Sequence, residues 1–101
     1  MIYQANMKIQ ISEVKIEIVK PNNGLVGFAS LVIDDSIYLS SIAIYKKLND
    51  EGFRILYPTK DKFAIYHPIT KEASTLIEEA IFNKLKDVMK KVYEKNNHTH
   101  F

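Results

Sequence analysis

The 101-residue chain contains no cysteine. Disulfides, thiolate nucleophiles and cysteine-ligated zinc or iron–sulfur sites are therefore excluded. Glycine is scarce, with three residues at 24, 27 and 52, which leaves little from which to build a nucleotide cradle. No Gly-rich phosphate loop, HExxH or Ser-His-Asp signature is present. Arginine is scarcer still: Arg54 is the single one. No run of about 18 apolar residues exists, so no membrane-spanning helix is expected. The opening residues, MIYQANMKIQIS, lack a basic region followed by an apolar run and a small-residue cleavage site, so no signal peptide is expected. A cytoplasmic location is the simplest expectation, and a chain without cysteine is compatible with it.

What is present suits one soluble globular domain: 47% hydrophobic and 26% charged residues at this length. A domain so short buries a modest core, and oligomerisation is a ready way to bury more. The net charge of +2 is unevenly spread. Residues 1–53 sum to −1, residues 54–71 to +3, residues 72–83 to −3 and residues 84–95 to +3. Two basic stretches thus flank an acidic one.

Val14, Ile16 and Ile18 alternate with Lys15 and Glu17, the period-two pattern of a half-buried strand. Pro21-Asn22-Asn23-Gly24 is a turn cluster suited to positive φ at Asn23 or Gly24. Residues 25–33 (LVGFASLVI) read as a central strand, with Gly27 and Ala29 keeping one face shallow enough for a helix or another backbone to approach. Asp34-Asp35-Ser36 makes a second turn. Residues 37–45 and 53–57 predict a third and fourth strand, joined by the polar connection 46–52, and Phe63–Tyr66 predicts a brief fifth. No connection is long enough for a parallel crossover, so the strands form an antiparallel meander. From about 71 to 95 the period changes: Ala73, Leu76, Ile77, Ala80, Ile81, Leu85, Val88, Met89 and Val92 mark one stripe of an amphipathic helix. Thr70 is a candidate cap, with Thr75 and Glu78 a capping-box alternative. The expected class is α+β, with residues 1–8 as an extension, 9–95 as one domain and 96–101 as a flexible tail. One helix covers one face of the sheet and leaves strand edges open, which pairing in a homodimer would close.

The stretch FAIYHPITKEA (63–73) poses the question of His67. Proline keeps the residue before it extended and cannot donate to a continuing ladder. His67-Pro68 therefore reads as the stop between sheet and helix, with the ring bonded to a nearby backbone group and Ile69 packing as a staple. The functional reading, a general base or metal ligand, lacks an accompanying constellation. His98 and His100 in the tail lack a third ligand, so neither metal nor cofactor is expected. Asp34-Asp35 and Asp50-Glu51 read as turn and loop residues, and an enzyme is not expected.

More informative is the stretch from Phe53 to Lys71. Arg54, Lys60, Lys62 and Lys71 are interleaved with Phe53, Tyr57, Phe63 and Tyr66. Cations that hold phosphates beside aromatics that stack on bases are what sequence-tolerant nucleic-acid binding requires. A hairpin with buried aromatics and a solvated lysine loop is the alternative reading. On the helix, Lys84, Lys90 and Lys91 offer a second row, although acids early and lysines late also suit the helix dipole by themselves.

The order of these pieces resembles the SpoVG family (stage V sporulation protein G, septation regulator). Ile11-Ser-Glu-Val-Lys-Ile16 is similar to its short charged first strand, and Gly27-Phe-Ala-Ser-Leu-Val-Ile-Asp34 to its second. The sharpest match is Gly52-Phe53, then Pro58-Thr59-Lys60, then His67-Pro68-Ile69-Thr70 opening the terminal helix, where the family has G-L-F, P-S-[KR] and A-H-P-I-[NT]. The likeness covers Ile11 to roughly Lys90. It implies a small bacterial, non-enzymatic regulator: a homodimer that binds DNA and RNA and influences sporulation, septum formation and gene expression. Lys60 answers to the family's basic residue after P-S. The family's arginine-rich loop is cut here to Asp61-Lys62, so the basic surface is thinner.

These readings together predict a homodimer that holds nucleic acid mainly through phosphates, with weak sequence preference and no membrane contact. Arg54, Lys60, Lys62 and Lys71 supply the charge, Lys84, Lys90 and Lys91 a second row, and Tyr57 and Tyr66 stacking platforms if exposed. The alternative is a protein–protein interaction module whose lysines merely solvate it.

Overall fold

A computed structural model describes residues 8–49 and 51–98. Residues 1–7 of the expected extension and 99–101 of the expected tail, including His100, lie outside the described residues. Four strands form one antiparallel sheet in chain order: β1 (Ile11–Asn22), β2 (Leu25–Ile33), β3 (Ile37–Lys46) and β4 (Phe53–Leu56). A separate two-stranded hairpin follows, β5 (Thr59–Lys60) and β6 (Phe63–Ala64), and then one long helix, α1 (Lys71–His98). The antiparallel meander with a C-terminal helix is the α+β architecture the sequence predicts. The strand count differs in one respect. The stretch after Pro58 does not add a fifth strand to the main sheet but folds back on itself, with the Ile65 N–H donating to the Pro58 carbonyl at 2.9 Å. Pro58 has no N–H to continue the ladder of β4, which is where the main sheet stops.

The turns follow from residues that accept positive φ. Asn23 and Gly24 lie at φ 53° and 91° and link the Asn22–Leu25 pair, and Asp61 and Lys62 lie at 52° and 74° within β5–β6. Positive φ at both central positions is the signature of a type I′ hairpin, whose twist matches its strands. Asp34 and Asp35, at 52° and 53°, turn β2 into β3. The Asp34 carboxylate accepts from the Gln10 N–H at 2.8 Å while the Asp34 N–H donates to the Gln10 carbonyl at 2.7 Å, tying the entry of β1 to this turn. Bulges interrupt the registers near Glu13 and Ser41, both at positive φ.

The registers sort the side chains onto two faces. Ile16, Ala29 and Ile42 form one row of the helix face, and Ile18, Gly27, Ile44 and Ile55 form the next. Ala29, Leu31, Ile42 and Ile44 are buried there against Ile77, Ile81 and Leu85, spaced four apart on α1. Each fully buried Ile or Leu contributes about 1.5–3 kcal/mol. The close approach that Gly27 permits is by the neighbouring strand, not by the helix: a Cβ there would stand 2.6 Å from the Glu17 carbonyl oxygen. Thr70 caps the helix, its hydroxyl accepting from the Ala73 N–H at 3.1 Å. Beyond Leu85 the same stripe surfaces, with Met89 and Val92 exposed.

Candidate nucleic-acid interface

The opposite face of the sheet carries Lys15–Ser30, the row Glu17–Phe28–Ala43–Leu56, and Tyr45–Arg54. No helix covers it among the described residues. Here the one arginine has a defined setting: its guanidinium carbon lies 5.3 Å from the centroid of the Tyr45 ring. Cross-strand pairing puts the two side chains on the same side, and the ring quadrupole attracts the cation. Arg54 and Tyr45 also line a cleft of about 340 Å³ with Lys46, Lys47 and Leu48. Three basic residues and an aromatic ring therefore border one concavity. Lys46 and Lys47 escape a linear reading because they sit where β3 runs into a polar connection, and only the pairing of β3 with β4 brings that end of the strand beside Arg54.

Lys60 and Lys62 are brought together by the β5–β6 hairpin. Lys60 pairs directly with Phe63, and Lys62 occupies the turn. Both lysines are exposed, and Phe63 is 76% exposed, so a flat aromatic face stands beside two cations. Lys71 opens α1 and is exposed.

The second row divides. At about 100° per residue, Lys84 and Lys91 flank the buried stripe of Ile77, Ile81 and Leu85, while Lys90 lies on the opposite side of the helix. Lys84 is also about 20 Å along the axis from Lys71 at 1.5 Å per residue. These lysines are not one continuous strip.

Tyr57 and Tyr66 do not meet the condition set for stacking platforms. Both are half-buried and pack against the core, with ring centroids 6.0 Å apart at 69°. The Tyr66 hydroxyl donates to the Ser40 carbonyl. Tyr57 presents a buried hydroxyl without a partner. Burial foremost, then the Glu78 carboxylate and Tyr66, push its pKa up to about 12. Tyr57 continues the inward alternation of Phe53 and Ile55, and the fold-back after Pro58 brings Tyr66 under β3. Among the described residues the exposed aromatics are Phe63 and Tyr38, the latter 67% exposed in a trough of about 480 Å³ with Lys15, Phe28 and Ser30.

His67 lies at the strand–helix joint, exposed, its Nδ1 3.0 Å from the Pro68 carbonyl oxygen. Among the described residues no three His, Asp or Glu side chains gather as a metal site, and no helix is long and apolar enough to cross a membrane.

No family model matches the chain. Two curated proteins do resemble it, both bearing the name septation protein SpoVG. One, from Finegoldia magna, is 31% identical over 88 residues, covering 82% of this chain and 80% of its own length. The other, from Phytoplasma australiense, is 33% identical over 86 residues, covering 80% of this chain and 88% of its own. Identity of 31–33% across about four-fifths of this chain and at least as much of each relative shows the family: the chain belongs to the SpoVG family.

Proposed function

We propose that this protein is a non-enzymatic, nucleic-acid-binding regulator of septation and sporulation that works as a homodimer in the cytoplasm. The observation that carries the reading is the cleft bordered by Arg54, lying over Tyr45, together with Lys46 and Lys47. Cations hold phosphates by releasing their counterions, and an aromatic ring accepts any base as a stacking partner. The exposed Lys60, Lys62 and Phe63 of the hairpin offer a second contact of the same kind. A single arginine among lysines favours phosphate contact over base-edge readout, hence weak sequence preference. The role in septation is that of the named relatives. The apolar stripe that surfaces at Met89 and Val92, and a sheet with open edges, support a dimer.

The test is binding to labelled single-stranded RNA, single-stranded DNA and duplex DNA across a salt series. Affinity that falls steeply with salt, and that drops in a Lys46→Ala/Lys47→Ala variant, supports the reading; absence of binding at low salt contradicts it.

One observation favours a second reading, a protein-binding module. An almost wholly apolar cleft of about 360 Å³ lies between the β2–β3 turn and the start of α1, lined by Ile33, Ile37, Leu39, Tyr57, Tyr66 and Ile77. A partner held there through apolar contact would bind with little dependence on salt.

A further inference from the structure

We propose that two copies of this chain join through β1, antiparallel and two-fold related at Ile16, so that their sheets merge into one. The inference rests on the homodimer reading above and specifies its surface and register. β1 is an edge strand: among the described residues it pairs with β2 alone.

Its outward groups are set by the pairing with β2. The Glu17 carbonyl is directed at β2, within 2.6 Å of where a Gly27 Cβ would stand. Backbone polar groups alternate sides along an antiparallel strand, so Ile16 and Ile18 turn their N–H and C=O groups away from the sheet. Those groups match a second copy: Ile16 pairs with its own counterpart through two hydrogen bonds, and Lys15 then falls opposite Glu17 on either side of it, where side chains approach most closely.

Charge selects this register among the alternatives. A two-fold perpendicular to the sheet pairs residues of the same parity only. Sliding by one step in one direction sets Lys15 against its own copy; sliding the other way sets Glu17 against its own copy. With the axis at Ile16 both symmetry-related contacts are Lys15 with Glu17. The register shifts that bound Lys15–Ile18 confine regular pairing to this run. On the helix face the same arrangement brings the second copy's β1 alongside Ile18, which is 44% exposed in a single copy. Lysine alone on an edge would block pairing; lysine and glutamate one period apart are instead self-complementary.

The experiment uses the full chain in sedimentation equilibrium, with circular dichroism to establish that each variant is folded. Lys15→Glu and Glu17→Lys each turn two attractive contacts into repulsive ones and should weaken the dimer by ~10-fold or more. The double variant restores complementarity and should recover it. A cysteine-free chain also permits a register test by oxidation. Lys15→Cys mixed with Glu17→Cys should give a disulfide-linked dimer, whereas neither alone should, because like positions are a diagonal apart. A dimer indifferent to both charge reversals, with no linkage specific to the mixture, overturns the β1 proposal and leaves the homodimer reading standing. A monomeric natural chain at micromolar concentration overturns both.

Discussion

The rings of Tyr57 and Tyr66 meet edge to face, 6.0 Å between centroids and 69° between planes. They join the end of β4 to the segment entering the helix, yet their hydroxyls fare differently. Tyr66 donates to the Ser40 carbonyl on β3, whereas the buried Tyr57 hydroxyl has no partner. A made hydrogen bond contributes about 1 kcal/mol, and an unmade one costs its desolvation. Tyr66→Phe should therefore lower stability by about 1 kcal/mol, while Tyr57→Phe should be neutral or stabilising. Urea denaturation of the two variants checks the contrast; equal losses would contradict it.

The same pair sets the alkaline limit. Burial first, then Glu78 and Tyr66, raise the Tyr57 pKa to about 12, and burial followed by Tyr38 raises that of Tyr66. The folded state thus holds these protons more tightly than the unfolded chain, where tyrosine titrates near 10. The resulting stability is fully present below about pH 10 and is lost as pH rises towards about 12. Denaturation midpoints measured through that window should fall, and fall less in Tyr57→Phe.

Gly27 tests the packing of β1 on β2. An added methyl would meet the Glu17 carbonyl at 2.6 Å, and a backbone atom cannot rotate aside as a side chain can. Gly27→Ala should destabilise by about 1–3 kcal/mol through overpacking. Gly52→Ala meets nothing within 4 Å and is strained only through its φ of 125°. Thermal melts of the two variants separate contact from conformation: Gly27→Ala should also loosen amide protection across β1, and Gly52→Ala should not.

The two basic contacts should be separable from the aromatic one. Removing two phosphate contacts with Lys46→Ala/Lys47→Ala, or with Lys60→Ala/Lys62→Ala, should reduce the salt slope on single strands by about 1.4. Phe63→Ala should weaken binding by about 1–3 kcal/mol through lost stacking and leave the slope unchanged. Its stability should stay within about 0.5 kcal/mol, since the ring is largely exposed.

Much of this architecture is legible in linear patterns. Alternation of Val14, Ile16 and Ile18 marks β1, the four-residue spacing of Ile77, Ile81 and Leu85 marks the buried face of α1, and Thr70 marks its cap. His67-Pro68 reads as a joint, and its ring engages the next carbonyl. What linear patterns do not carry is register. Bulges at Glu13 and Ser41 shift which residues share a face, and Arg54 meets Tyr45 only once β3 is aligned with β4. For Tyr57 and Tyr66 the sequence leaves open stacking platforms or buried aromatics. Tyr57 points inward with Phe53 and Ile55 by strand alternation, whereas the fold-back after Pro58 brings Tyr66 inward and leaves Phe63 exposed.

The most direct test of the central claim is fluorescence anisotropy of the natural chain with labelled single-stranded RNA, single-stranded DNA and duplex DNA, from low to moderate salt. Nucleic-acid binding through the Arg54 cleft and the Lys60–Phe63 hairpin predicts saturable binding whose logarithm falls linearly with the logarithm of salt concentration. No binding at low salt, or binding that ignores salt, would contradict it and turn attention to the apolar cleft beside Tyr57 and Tyr66.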